Sequence, residues 1–172
     1  MTTSYLIIPY QSSYDPFIIN CIKDYSFTPD KLELVGPGKW ITVNDKILEK
    51  FNENKDCDYL IFHRSASLLN PDDLEYMISL MNKDVLSVGV EPSFLYPNVR
   101  APKMSDGINY DSVGGVTVWN SKLYFELIDD AKKLCLSERT GLAELSSYIG
   151  YLGNKKGYKS LQATKARIVY YD

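Results

Sequence analysis

Short, mostly apolar runs alternate with longer amphipathic stretches along most of this chain, and that alternation restricts the fold more than any other feature. The runs at positions 4–10 (SYLIIPY), 31–35 (KLELV), 58–62 (DYLIF), 84–92 (DVLSVGVEP) and 112–120 (SVGGVTVWN) read as strands. The third, apolar from Tyr59 to Phe62, suits a central parallel strand covered on both faces, because neither face meets water. Between them lie helical patterns at 15–27, 42–54, 70–83, 121–134 and 139–157. Asp15 caps the first, with Pro16 at its first position and Phe17, Ile18, Cys21, Ile22 and Tyr25 on one apolar face. In the second, Ile47, Leu48 and Phe51 face inward. Asn70 caps the third, with Pro71 at the first helical position and Asp72 and Asp73 at the positive helix end. The tail from 158 to 172 supplies the last strand or strands.

Strands alternating with crossover helices predict an α/β sandwich, a mainly parallel sheet with helices on both faces. At 172 residues the chain is expected to form one compact domain over 1–172. Right-handed crossovers place the carboxyl ends of parallel strands on one edge, where ligands bind. That edge collects residues 9–13, 36–39, 63–67 and the chain from Glu91 onwards. The segment 91–110, with three prolines and no period, is long enough to suggest a functional loop.

Composition excludes several classes. A hydrophobic fraction of 45% argues against bulk disorder, and a net charge of −3 offers no global attraction to nucleic acid or anionic membranes. Three separated cysteines without a C-x-x-C pair, and a single histidine, argue against a zinc site. Scattered thiols, no basic leader and no apolar run of membrane-spanning length lead us to expect a cytoplasmic protein. The 14 tyrosines suit either a stacking site for sugar or base, or ordinary half-buried walls.

The two commonest nucleotide signatures, G-x-G-x-x-G and G-x-x-x-x-G-K-[ST], are absent. The turn Gly36-Pro37-Gly38-Lys39 could admit a phosphate to glycine backbone beside a lysine, or could be simply a turn. His63 is the sole histidine, and without a G-x-S-x-G elbow it does not define a hydrolase triad. Arg64, beside it at a strand end, could clamp a phosphate bidentately or form a surface ion pair. Glu144 lies at the border of an inward face made by Leu142, Leu145 and Ile149.

The ordered set of segments resembles the GT-A glycosyltransferases, in particular the inverting family 2. YLIIPYQ resembles the family's opening strand and KLELV its second. The stretch VNDKILEKFNENKDCDYLIF is similar to the Asn-containing helix that runs into the strand before the metal motif. LLNPDDLEYMI matches the segment after that motif, VGGVTVWNSKLYFEL the Gly-Gly strand, and GLAELSSYIGYLGNKKGYKSL the acidic helix. The resemblance implies a Rossmann-like GT-A three-layer sandwich. It also implies a nucleotide-diphospho-sugar donor, whose sugar passes to an acceptor hydroxyl.

On that pattern Glu144 matches the general base. Pro9, Tyr10, Gln11, Lys39, Asn44, His63 and Ser65 fall at the donor pocket. The family's Asp-x-Asp aligns with Arg64-Ser65-Ala66, so no metal ligand is expected there and a divalent cation is doubtful. The base-contacting aspartate is missing from 36–39, Leu145 replaces the Asp that accompanies the helical Glu, and Val43 replaces an arginine. Two readings follow. One is a metal-independent inverting glycosyltransferase with Arg64 as diphosphate clamp and Glu144 as base. The other is a catalytically degenerate GT-A domain acting as a binding or assembly module. A sugar-1-phosphate nucleotidylyltransferase would need a glycine-rich basic loop after residues 5–9, which is absent.

Overall fold

The computed structural model describes residues 3–13, 16–65, 67–90, 115–134 and 142–170, apart from the side chains at 40, 41, 142–144, 169 and 170. The expected cap Asp15, the turn residue Ala66 and the segment 91–110 lie outside the described residues. In chain order the elements are β1 (Ser4–Pro9), α1 (Pro16–Lys23), β2 (Lys31–Val35), α2 (Trp40–Glu53), β3 (Tyr59–His63) and β4 (Ser67–Leu69). They continue with α3 (Asp73–Ser79), β5 (Val85–Gly89), β6 (Val116–Asn120), α4 (Ser121–Leu134), α5 (Leu142–Lys155), β7 (Lys159–Gln162) and β8 (Ile168–Tyr170).

The main sheet has six strands in the order β2-β1-β3-β6-β5-β7. β1 pairs in parallel with both β2 and β3, and β5 with β7, while β6 is antiparallel to β3 and to β5. One reversed strand therefore sits in an otherwise parallel sheet, as the alternating sequence pattern led us to expect.

Period-two geometry sorts the central strands onto two cores. Tyr5 and Ile7 of β1 and Leu60 and Phe62 of β3 pack against α2, α4 and α5 through Val43, Ile47, Phe51, Leu123, Tyr124, Leu127, Leu145 and Ile149. Leu6, Ile8 and Ile61 face the other way, onto Ile18, Ile22, Leu74 and Met77 of α1 and α3. Each such fully buried aliphatic contributes roughly 1.5–3 kcal/mol, so both faces must be covered for the strand to be stable. Aromatic edges lock the first core, with Phe51 against Tyr5 and Tyr124, and Trp119 against Tyr124.

Three local expectations need correction. Phe17 does not join the apolar face of α1 but is 55% exposed, while Ile18, Ile22 and Tyr25 are buried. The third helix starts at Asp73, not at Pro71. Asn70 does not cap it through its own side-chain oxygen; instead the Asp73 carboxylate reaches back, accepting from the Asn70 backbone N–H at 3.2 Å and from its Nδ2 at 3.0 Å. The same carboxylate accepts the Arg167 N–H at 2.9 Å, which fastens the chain leading into β8. Finally, β4 lies where the sequence pattern assigns neither strand nor helix. It is a buried three-residue strand that pairs antiparallel with β8 in a small second sheet.

α5 lies so close to the sheet at position 153 that any larger residue must displace the end of the Leu86 side chain. A Cβ there would stand 2.5 Å from Leu86 Cδ2 and 3.3 Å from Leu127 Cδ1. Alanine would gain about 1 kcal/mol of helix propensity, whereas overpacking a closed core costs about 1–3 kcal/mol. Gly153→Ala is therefore expected to lower the unfolding free energy by about 1 kcal/mol net, read from the urea midpoint at unchanged m-value.

Candidate functional site

The carboxyl ends of β1, β2 and β3 lie side by side, because these strands are neighbours running in one direction. The loops after them are consequently brought together. The β1–β2 ladder continues past the sheet: Tyr10 N–H donates to the Val35 carbonyl at 2.9 Å, and Gly38 N–H to the Gln11 carbonyl at 2.8 Å. Gly36 allows this closeness, since a Cβ there would meet the Tyr10 carbonyl oxygen at 2.3 Å and its ring carbons at 2.8 and 2.9 Å. The Gly38 amide is thus occupied by Gln11, which weakens the reading of this turn as a backbone phosphate cradle. Pro9 is buried at the end of β1, Tyr10 is half-buried, and Gln11 and Lys39 are exposed at the rim.

Asn44 sits in the second turn of α2, whose start is fixed at this edge by the short connection from β2. It is 3% exposed, and its Oδ1 has no hydrogen-bond partner. A buried amide oxygen without a donor costs about 1–3 kcal/mol, so a ligand or a water that supplies a donor there is stabilised by the difference.

The turn after β3 is held from beneath. Arg64 N–H donates to the Gly115 carbonyl at 2.7 Å, and the Arg64 carbonyl accepts the Ser67 N–H at 3.2 Å. The same carbonyl also accepts the Ser67 hydroxyl and His63 Nδ1, each at 3.0 Å. Above this fixed backbone the Arg64 side chain is exposed and Ser65 half-buried.

His63 is fully buried, and its Nε2 lies 3.1 Å from the Tyr25 hydroxyl. A carbonyl can only accept, so Nδ1 carries the proton and Nε2 accepts from Tyr25. The Tyr25 oxygen in turn accepts the Leu69 N–H at 2.9 Å. Burial is the main reason that both groups stay neutral, pushing His63 down to about 4 and Tyr25 up to about 12. Both ring nitrogens of His63 are thereby engaged by the protein, beneath the rim rather than on it.

Glu144 lies in the first turn of α5. The chain passes from α5 into β7 within a few residues, and β7 runs parallel to β5. α5 therefore ends at the amino edge of the sheet. Its fourteen residues span about 20 Å, so its first turn returns to the carboxyl edge. The Glu144 side chain lies outside the described residues. All nine residues singled out from the sequence (Pro9, Tyr10, Gln11, Lys39, Asn44, His63, Arg64, Ser65 and Glu144) are thus carried by segments at one edge.

Among the described residues, no group of three His, Cys, Asp or Glu could hold a metal ion. The carboxylates that next follow Arg64 in the described chain are engaged elsewhere. Asp72 accepts the Ser26 hydroxyl, and Asp73 is committed to Asn70 and Arg167. Tyr25 is the participant that sequence reasoning missed, because its apolar spacing assigned it to the core.

The sequence matches no family model and no curated protein. Solved structures do share the fold. A197 from STIV superposes with a TM-score of 0.60 at 10% identity, over 99% of this chain and 86% of that one. A glycosyltransferase involved in glycosylation of the major capsid of PBCV-1 gives 0.53 at 12% identity, over 97% and 92%. The galactosyltransferase LgtC, solved with donor and acceptor sugar analogues, gives 0.50 at 10% identity, over 93% and 73%. The architecture is therefore that of the GT-A glycosyltransferases, a six-stranded mixed sheet between helices.

Two outcomes follow from this geometry. Gly36→Ala should force the 9–13 and 36–39 loops apart, at a cost of about 1–3 kcal/mol, measurable by urea unfolding. His63, with its pKa lowered by burial, binds its proton more readily in the unfolded chain. Its contribution is accordingly intact above pH 6.5 and is lost as pH falls from 6.5 towards 4. Between pH 7 and 4.5, wild type should lose about 2–3 kcal/mol more than His63→Asn, measured by urea titration at both pH values.

Proposed function

We propose that this chain binds a nucleotide-diphospho-sugar at the carboxyl edge of its sheet and transfers the sugar to an acceptor hydroxyl without a divalent metal. The observation that carries this reading is the pinned turn at Arg64. Its N–H and carbonyl are both held by the protein while its guanidinium is exposed at the edge where ligands of α/β sheets bind. A cation fixed in advance stabilises charge that develops on a leaving group without reorganising at the moment of reaction.

In this scheme the Glu144 carboxylate takes the proton of the acceptor hydroxyl. The acceptor oxygen forms its bond to the anomeric carbon as the bond from that carbon to the diphosphate oxygen breaks, with inversion. The electron pair leaves on the diphosphate, where Arg64 neutralises it and Lys39 adds charge from the rim. Asn44, Pro9, Tyr10 and Gln11 line the nucleotide side, and the unpartnered Asn44 Oδ1 offers an acceptor to a nucleoside N–H or O–H. His63 supports the turn that carries the clamp, and Ser65 stays on the donor side of that turn. Compactness is no objection, because the chain covers 92% of a capsid glycosyltransferase of the same fold. The alternative is a GT-A domain that has kept the architecture and serves as a binding module.

The test is thermal stability against UDP-, GDP-, CMP- and dTDP-sugars, each with EDTA and with manganese. A donor at tenfold its Kd stabilises by about 1.4 kcal/mol, which for a domain of this size is roughly 3–5 °C. We expect one donor to give this shift in EDTA, and Arg64→Ala to weaken it about 10- to 100-fold in Kd. A shift that needs manganese defeats the metal-free mechanism, and silence at millimolar donor favours the binding module.

A further inference from the structure

We propose that Tyr25 and His63 form a positioning relay that sets the Arg64 turn, acting through the Arg64 carbonyl. The inference rests on the diphosphate-clamp reading above and gives it a second tier of residues. The hydrogen bonds run in one direction: Leu69 N–H to Tyr25 Oη at 2.9 Å, Tyr25 O–H to His63 Nε2 at 3.1 Å, and His63 Nδ1–H to the Arg64 carbonyl at 3.0 Å. Each link has only one workable polarity, because an amide only donates and a carbonyl only accepts. The relay joins the chain after α1, the last residue of β3 and the last residue of β4. It therefore couples three elements to the backbone of one residue.

The Arg64 carbonyl also receives the N–H and the hydroxyl of Ser67. Three donors converge on an oxygen with two lone pairs, so the direction of the His63 bond bears on the orientation of the whole peptide plane. That peptide sets the Cα–Cβ direction from which the guanidinium projects. Neither Tyr25 nor His63 is placed to touch a ligand at the rim, since both are buried. Their effect passes through Arg64, in the way that supporting hydrogen bonds orient ligating side chains at other anion and metal sites.

Amide side chains separate the two ends of the imidazole. In His63→Asn the amide N–H stands near the position of Nδ1 and can still donate to the Arg64 carbonyl. In His63→Gln the longer side chain reaches towards Nε2, meeting Tyr25 and leaving the carbonyl. The probe is inorganic pyrophosphate in EDTA, titrated calorimetrically into the full chain, which tests the clamp without knowledge of the nucleotide. We expect wild type to bind, Arg64→Ala to lose binding, His63→Asn to stay within about threefold of wild type, and His63→Gln and Tyr25→Phe to weaken about tenfold. A residue that served stability alone would weaken binding in proportion to the fall in melting temperature, without this split between Asn and Gln.

Should Arg64→Ala abolish binding while His63→Gln and Tyr25→Phe bind as wild type, the relay is refuted and the clamp stands. Equal losses in His63→Asn and His63→Gln also overturn the relay. If wild type does not bind pyrophosphate, the clamp reading fails, and exchange of the Ser67 amide decides the relay by itself. Exchange at least tenfold faster in His63→Gln than in His63→Asn supports it, and equal rates overturn it. Nitrogen-15 NMR of the wild-type ring needs no variant: a proton on Nδ1 is expected, and a proton on Nε2 overturns the relay.

Discussion

Burial of β1 on both faces is the constraint from which the rest of the molecule follows. All six residues, Ser4 to Pro9, are out of water, and the alternate ones feed two separate cores. A strand in that position must have partners on both sides and helices above and below. β2 and β3 take the sides, and α1 and α2, which follow β1 and β2, take opposite faces. The amino edge is closed with carboxylates: Asp30 accepts the Ser4 N–H and hydroxyl, and Asp58 accepts the Thr3 N–H. Those bonds hold the Asp30 carboxyl below its usual range. With one edge tied down in this way, the variable chemistry is left to the other.

At the carboxyl edge the polar groups fall into two tiers. Beneath the rim, His63 and Tyr25 are buried, neutral and matched donor to acceptor, so they carry no ionic cost into the core. On the rim, Arg64 and Lys39 are exposed, on the edge where ligands of α/β sheets bind. Asn44 Oδ1 belongs to neither tier, being buried and without a partner. The only other such atom among the described residues is the hydroxyl of Tyr124, whose ring packs edge-on against Trp119, Phe51 and Phe125 in the aromatic core. The two differ in where they lie: Tyr124 is in the middle of the aromatic core, and Asn44 is in the second turn of α2, the helix that follows the connection from β2.

The strands and long helices were legible because each carries its own periodic signal. Leu60, Ile61 and Phe62 form an unbroken apolar run since β3 is buried on both sides, and Ile47 and Phe51 recur at helical spacing since α2 buries one stripe. What escaped was set by partners distant in sequence. β4 has three residues, too few for a period, and exists through pairing with β8 about a hundred positions later. Asp73 looked like a charge at a helix end, but its carboxylate serves Asn70 and Arg167. Phe17 fits the apolar stripe of α1 by spacing, yet it is exposed while Ile18 beside it is buried.

Local pattern and the direction of crossovers were enough to specify the layered α/β architecture, the edge at which loops gather, and the placing of Arg64 at that edge. Folding in three dimensions made His63 support the turn from below, brought Tyr25 to it, and gave the Gly38 amide to Gln11. The difference arises because a hydrogen bond has direction and a partner. A sequence specifies that a donor exists, and folding decides which acceptor it meets.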